Sequence, residues 1–203
     1  MKPTRRFGPE NSATRTLLLD ATEQLMLSEG YAAVSTRRVA KEVGLTPALV
    51  HYYFKTTDDL LVALYRRATE QNLERLKAAL ASPQPLTALW DLSADAVRTS
   101  LTVEFMALAN HRKAIQAEIA RYAEFARELQ AEAVARLLAG AAVDPKTFPA
   151  SGVTALLVAA ARSLVMEENV GIHGGHAEAR AIVEMLLQRL QTAPPSKDSL
   201  PAA

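Results

Sequence analysis

Two helix starts on either side of one glycine, between Ser35 and Pro47, restrict the fold of this chain more than any other feature. Ser35 and Thr46 can each accept a hydrogen bond from an exposed amide in the first turn of a following helix. Pro47 suits the first helical position, and Gly44 can adopt the left-handed conformation that ends a helix. The segment therefore predicts two short helices joined by a glycine turn, which is a helix-turn-helix.

The second of these helices lies in GLTPALVHYYF, residues 44–54, which ends in four large planar side chains. Four consecutive helical residues cannot all face one core. We expect Val50, Tyr53 and Phe54 to point inward, as the core of a small module requires large side chains. The opposite face then carries Pro47, Ala48, His51, Tyr52 and Lys55, with Leu49 at its edge.

This outward face suits a helix in the major groove of DNA, where the first residues read bases and later ones reach phosphates. Thr36 and Arg37 open the preceding helix and can contact the flanking backbone, and the helix start at Thr46 can also bind phosphate. The predicted DNA-binding residues are Thr36, Arg37, Thr46, Pro47, Ala48, Leu49, His51, Tyr52 and Lys55.

The charge distribution agrees with this assignment. Residues 1–56 hold eight Lys and Arg against five Asp and Glu, whereas the remainder holds fifteen against seventeen, so the two parts carry +3 and −2. Lys2, Arg5 and Arg6 form a basic N-terminal arm that either reaches DNA or stays solvated.

The composition excludes several classes of protein. The chain has no cysteine, which rules out disulfides and thiolate metal sites. The basic N-terminus is not followed by the apolar run of a signal peptide, and the longest apolar run, residues 153–161, is too short to span a bilayer. We expect a cytoplasmic protein without a cofactor.

The remaining sequence has helical periodicity and no strand pattern. The predicted fold is all-α, with three helices in a DNA-binding domain at 1–56, a larger helical bundle at 57–191 and a disordered tail at 192–203. Further helices are expected at about 57–80, 86–99, 111–138, 151–169 and 177–191, with an ambiguous shorter piece at 102–110.

Residues 12–64, and above all VSTRRVAKEVGLTPALVHYYFKTTDDLLVAL, resemble the DNA-binding domain of the tetracycline-repressor (TetR) family of transcriptional regulators. The resemblance implies a homodimer that binds a palindromic operator, usually represses, and responds to a small molecule bound in the larger domain. Two positions depart from the family pattern. Thr57 stands where a second lysine often follows Phe-Lys, and residues 47–49 carry no side-chain donor for bidentate base contacts.

The last two helices have apolar stripes suited to a two-fold interface with a second copy. The predicted interface comprises Leu156, Leu157, Ala160, Leu164, Ile182, Met185, Leu186 and Leu190. The predicted pocket for a mainly apolar effector is lined by Trp90, Phe105, Met106, Asn110, Tyr122 and Phe125.

Other functions have weaker support. We find no nucleophile elbow, phosphate loop or di-iron motif, so the chain is not expected to be an enzyme. Glu167, Glu168, His173 and His176 form the one metal-like cluster, which is better interpreted as surface turn residues. The alternatives are a constitutive architectural DNA-binding protein without an effector, or a helical protein that binds a metal or small molecule.

Overall fold

The structure, a computed structural model, describes residues 12–141 and 143–192. It is all-α in this part of the chain, as predicted. The helices are α1 (Ala13–Glu29), α2 (Thr36–Glu42), α3 (Pro47–Tyr53), α4 (Thr57–Leu80), α5 (Pro85–Ser93), α6 (Ala96–Ala109), α7 (Lys113–Gly140), α8 (Ala150–Glu168) and α9 (His176–Thr192). The basic arm and, beyond Thr192, the tail predicted to be disordered lie outside the described residues.

Local capping explains where the first four helices begin and end. Ser12, Ser35 and Thr46 each accept an amide hydrogen bond from the first turn of the helix that follows. At α4, Thr56 and Asp59 form a reciprocal capping box, in which each side chain accepts from the other residue's amide at 3.0 Å. Gly30 ends α1 with a φ of 81°.

One predicted boundary is wrong. The helix expected to run from residue 86 to about 99 ends at Ser93, and α6 begins at Ala96. Asp95 starts the new helix, because its carboxylate accepts from the Arg98 amide at 2.9 Å. An aspartate is a strong N-cap residue, so Asp95 was the signal in the sequence that could have placed this break. The ambiguous piece at 102–110 is the second half of α6.

The chain divides into two compact units that are interleaved in sequence. Among the described residues, the first contains 12–71 together with 100–122, and the second contains 72–99, 123–141 and 143–192. This division differs from the predicted domain boundary after residue 56, because the first half of α4 and parts of α6 and α7 join the helix-turn-helix. The boundary at 56 remains a prediction of where the DNA-binding domain ends.

The core of the first unit extends from the helix-turn-helix into α4, α6 and α7. Its fully buried members include Leu18, Met26, Val39, Val50, Leu60, Leu64, Phe105, Leu108 and Ile115. Each of these side chains contributes about 1.5–3 kcal/mol by leaving water. The helix-turn-helix therefore shares its hydrophobic core with α4, α6 and α7.

Polar contacts reinforce the same unit. Glu104 of α6 accepts from the Tyr31 amide just after α1 at 2.6 Å, and Arg112 pairs with Asp58. Arg67 of α4 forms salt bridges with Asp20 and Glu23 of α1 at 2.6 and 2.8 Å. These contacts join the residues around the helix-turn-helix to α4 and α6.

The second unit has a separate core contributed by four helices. Leu86 and Trp90 of α5 pack with Val134 and Leu138 of α7, Ala161 of α8 and Leu187 of α9. All six are at most 4% exposed. This cluster holds α8 and α9 by one side only, which leaves their other faces in solvent.

Candidate nucleic-acid interface

The turn between α2 and α3 is a Schellman motif, which explains why it needs glycine. The Leu45 amide donates to the Ala40 carbonyl at 2.9 Å, and the Gly44 amide donates to the Lys41 carbonyl at 3.3 Å. Gly44 has a φ of 68°, a conformation that costs other residues about 1–2 kcal/mol. The motif fixes the direction in which α3 leaves α2.

Helix α3 has the two faces that the sequence predicts. Val50 is fully buried and Phe54 is 3% exposed, while Tyr53 packs partly against the same core. Pro47, Ala48, His51, Tyr52 and Lys55 are exposed, and Leu49 is intermediate. Tyr52 stands edge-on to Tyr53 with ring centroids 5.2 Å apart. A partly buried aromatic ring thus supports an exposed one on the outward face of α3.

Thr36 differs from its predicted role. Thr36 is only 7% exposed, and its hydroxyl lies 3.4 Å from Nε2 of His51. Nδ1 of His51 lies 3.1 Å from the Lys55 carbonyl, which can only accept, so Nδ1 carries the proton in this contact. Thr36 is therefore buried against His51 instead of facing a phosphate, and the two residues link the start of α2 to the end of α3.

Two neighbouring arginines of α2 have different environments. Arg38 bridges Glu29 at 2.7 Å and Glu42 at 2.6 Å, and its hydrogen bond with Glu29 is the main reason that its pKa is raised. Arg37 is exposed and forms no ion pair within the described residues. Lys41 lies one turn after Arg37 on the same exposed face. It was not predicted as a site residue, although this spacing could have indicated it.

The predicted metal-like cluster is an ionic network at the start of α9. Nε2 of His176 lies 2.8 Å from Glu167 and Nδ1 lies 3.3 Å from Glu168. The contact with Glu167 is the main cause that raises the pKa of His176, and Arg180 at 2.8 Å is the main cause that lowers the pKa of Glu168. Within residues 12–141 and 143–192, no group of three or more His, Asp or Glu side chains is arranged to hold a metal.

The predicted effector residues are divided between the two compact units. Phe105 and Tyr122 both stand edge-on to Tyr65 in the first unit, with ring centroids 5.0 and 6.2 Å from that ring. Trp90 is buried in the core of the second unit. The others are surface residues: Met106 is 55% exposed, Phe125 is 46% exposed, and Asn110 is exposed. Core packing accounts for Phe105 and Trp90, which periodicity alone cannot distinguish from lining residues.

The predicted dimer residues divide into two groups. Leu156 is 75% exposed, Ala160 is exposed, and Ile182, Met185 and Leu186 are 44–55% exposed. Leu157, Leu164 and Leu190 instead pack partly against the core of their own unit. Met166, one turn beyond Ser163 on the exposed side of α8, was missed by the prediction and is 46% exposed.

Helix α8 is unusual in how little of its apolar surface is covered. It is the one described helix that is long and apolar enough to cross a membrane, by length and composition only. Such a helix can equally belong to the core of a soluble protein, but only 22% of its apolar window is buried within this chain. Its uncovered face is therefore an exposed apolar surface, of the kind that marks an interaction site.

Comparison with known proteins identifies the class to which this geometry belongs. Residues 18–64, from α1 into α4, match the family model described as bacterial regulatory proteins, tetR family. The regulator BetI of Rhizobium meliloti is 27% identical over 149 residues, which cover 70% of this chain and 73% of BetI. The chain spans between 31% and 73% of the length of the curated regulators that it matches.

Solved structures share the fold over most of the chain. A Rhodococcus sp. protein assigned to the TetR family superposes with a TM-score of 0.68 at 20% identity, covering 89% of this chain and all of that one. A regulator from Saccharomonospora viridis, solved in complex with choline, gives a TM-score of 0.67 at 19% identity over 87% of this chain and 93% of that one.

A capped helix-turn-helix with an exposed α3 face is typical of DNA-binding transcriptional regulators. Residues 18–64 match the TetR-family model, and the chain is similar to a transcriptional regulator over 70% of its length. The curated relatives that it matches are named as regulators.

Proposed function

We propose that the chain is a cytoplasmic, homodimeric repressor that binds a palindromic operator through α3 and responds to a small effector. The observation that carries this proposal is the division of α3 into an anchored and an exposed face. Val50 and Phe54 hold the helix in the core, while His51 and Tyr52 remain available to solvent. A helix held in this way can enter a major groove without rearranging its own core.

Phosphate contacts would come from four exposed residues. Arg37 and Lys41 lie on one side of the turn, and Tyr52 and Lys55 lie on the other. Thr46, at the start of α3, would provide a further phosphate contact. The buried Thr36 would act indirectly, by orienting His51. The basic arm remains part of this proposal, as a possible contact to the minor groove.

Base recognition would rest on apolar contacts, because residues 47–49 lack side-chain donors. Ala48 is exposed and Leu49 is partly exposed, so both can touch the methyl groups of thymine. Arg37, Thr46 and DNA shape would supply the remaining specificity. Replacing operator thymines by uracil, one base pair at a time, should weaken binding at the contacted positions. Full affinity at every substituted position would contradict this mode of recognition.

Dimerisation is supported by the exposed apolar faces of α8 and α9. Leu156, Ile182, Met185 and Leu186 are large apolar side chains with little cover from their own chain. Two copies related by a two-fold axis would cover these faces mutually and place two copies of α3 against two half-sites. An effector site is supported by the relative solved with choline, although that ligand is a property of that protein.

The test is selection of bound sequences from a random duplex pool by the wild type and by a Tyr52→Ala, Lys55→Ala double variant. We expect the wild type to enrich a palindrome and the double variant to enrich it weakly or not at all. Because a dimer carries two Lys55 side chains, the slope of log affinity against log salt should fall by about 2 in magnitude.

The matched control changes an exposed aromatic residue and a lysine elsewhere, with Lys146→Ala and Phe148→Ala in the loop before α8. This control should select the same palindrome as the wild type with the same salt slope. Enrichment of DNA without a palindrome would favour the architectural alternative. Equal loss in both double variants would show that the α3 face has no special role.

A further inference from the structure

Two buried polar atoms on α7 lack any partner. Nη1 of Arg127 and Oε1 of Gln130 are inaccessible to solvent and form no hydrogen bond with any part of the chain that the structure describes. Gln130 is only 8% exposed. The two residues are three positions apart, so they lie one turn from each other on the same face of the helix. They belong to the second compact unit.

Leaving these atoms unpaired is costly. A buried neutral group without a hydrogen bond costs about 1–3 kcal/mol and a charged one costs more, so folded proteins pair nearly all such groups. Arg127 is a donor and Oε1 of Gln130 is an acceptor, yet they do not bond to each other. Glu124, one turn before Arg127, is exposed and forms no ion pair with it. An apolar residue at position 130 would be expected to stabilise the fold.

The same face of α7 continues into the core of the second unit. Val134, one turn after Gln130, is 1% exposed and packs in the cluster that contains Leu86 and Trp90. A donor and an acceptor therefore follow one another along a helix stripe that is otherwise apolar. A few polar groups fixed beside an apolar wall are typical of a small-molecule site.

We propose that Arg127 and Gln130 anchor an amphipathic anion: an acid with an apolar body and a hydroxyl or N–H group next to its carboxylate. This inference rests on the proposed function and names the chemical class of the effector. The guanidinium has no acceptor and pairs most strongly with a carboxylate. Oε1 of Gln130 needs a donor, which a simple carboxylate lacks. The apolar body would lie against the cluster of Leu86 and Trp90.

This assignment narrows the chemical class of the effector, which the sequence predicted only to be mainly apolar. It retains Trp90 as a neighbour of the ligand and adds two polar residues that periodicity could not identify. It also disfavours a quaternary ammonium ligand, because a partly buried guanidinium repels a cation. Choline is therefore a suitable negative probe.

Binding can be followed by the fluorescence of Trp90, the one tryptophan of the chain. The probes are 3-hydroxydecanoate, decanoate, 1-decanol and choline, each below the concentration at which it forms micelles. We expect the hydroxy acid to bind most tightly, decanoate roughly two- to tenfold more weakly for one lost neutral hydrogen bond, and decanol more weakly again. Choline should produce no saturable change. Equal affinities for decanoate and 1-decanol, or tighter binding of choline than of 3-hydroxydecanoate, would overturn the proposal.

Variants at the two positions separate binding from folding. Arg127→Met should weaken binding of 3-hydroxydecanoate roughly tenfold or more, and Gln130→Met roughly two- to tenfold, without lowering the melting temperature. Gln130→Glu places a carboxylate one turn from Arg127, so it should pair with the guanidinium and abolish binding of the acid. Arg136→Met and Gln116→Met, at exposed positions of α7, are the matched controls and should bind like the wild type.

The outcomes for this site and for the proposed function can be told apart by running the duplex selection on the same preparations. A palindrome selected by a wild type that binds none of the acids would overturn the anionic site and leave the proposed regulator intact. Acid binding lost in the Arg127 and Gln130 variants, without any selected palindrome, would support the site and count against the operator-binding function. Variants that bind the acid like the wild type would show that the two groups are structural only.

Discussion

Removing one exposed leucine should separate the two protomers of the proposed dimer without unfolding either of them. Leu156 is 75% exposed in the protomer. Full burial of a leucine contributes about 1.5–3 kcal/mol, so covering three quarters of it contributes about 1–2 kcal/mol per copy. A two-fold interface contains the residue twice, which gives about 2–4 kcal/mol per dimer. Leu156→Ala should then raise the dimer dissociation constant by about 30- to 1000-fold.

The assay is sedimentation equilibrium over a concentration series, with thermal unfolding measured in parallel. Because Leu156 makes few contacts within its own chain, the stability of the protomer should change by no more than about 0.5 kcal/mol. Val97→Ala is the matched control, since Val97 is 61% exposed on α6 and lies outside both proposed interface helices. A dissociation constant for Leu156→Ala that matches the control within threefold would refute this use of the α8 and α9 faces.

Two predictions concern pH. Glu118 lies between Arg66 and Arg121, and the hydrogen bond from Arg66 is the main cause that lowers its pKa from 4.5 to about 2. The two arginine side chains are 56% and 70% exposed, so solvent screening reduces the stabilisation to ~1 kcal/mol, present above pH 4.5 and lost as the pH falls through 2. Glu118→Gln should lose this amount at pH 7 and nothing near pH 2 in denaturant unfolding; an equal loss at both values would contradict the assignment. The pKa of His176 is raised chiefly by its hydrogen bond with Glu167, so its contribution is complete below pH 6.5 and disappears as the pH rises through the higher folded value. The difference in melting temperature between wild type and His176→Asn should therefore be larger at pH 6 than at pH 9, and a difference that grows with pH would count against this reasoning.

The helix-turn-helix and the orientation of α3 are determined by the sequence itself. Ser35, Gly44 and Thr46 act through hydrogen bonds and backbone angles within a few residues of themselves, so their effects can be predicted without knowing the rest of the fold. The burial of Val50 and Phe54 follows from helical spacing, since one face of a helix in a small module must cover a core. Asp95 is a local signal of the same kind, and the break between α5 and α6 could have been predicted from it.

Tertiary structure decided what local signals leave open. Whether Thr36 faces DNA or His51 depends on how α2 and α3 pack, and the bridge from Arg38 to Glu29 forms only because the end of α1 lies within its reach. Helical spacing predicts an apolar stripe on α8 but not which half of it the chain covers itself, so Leu157 was grouped with Leu156. The unpaired atoms of Arg127 and Gln130 were invisible in the sequence for the same reason, because the burial of a long polar side chain depends on which distant residues surround it.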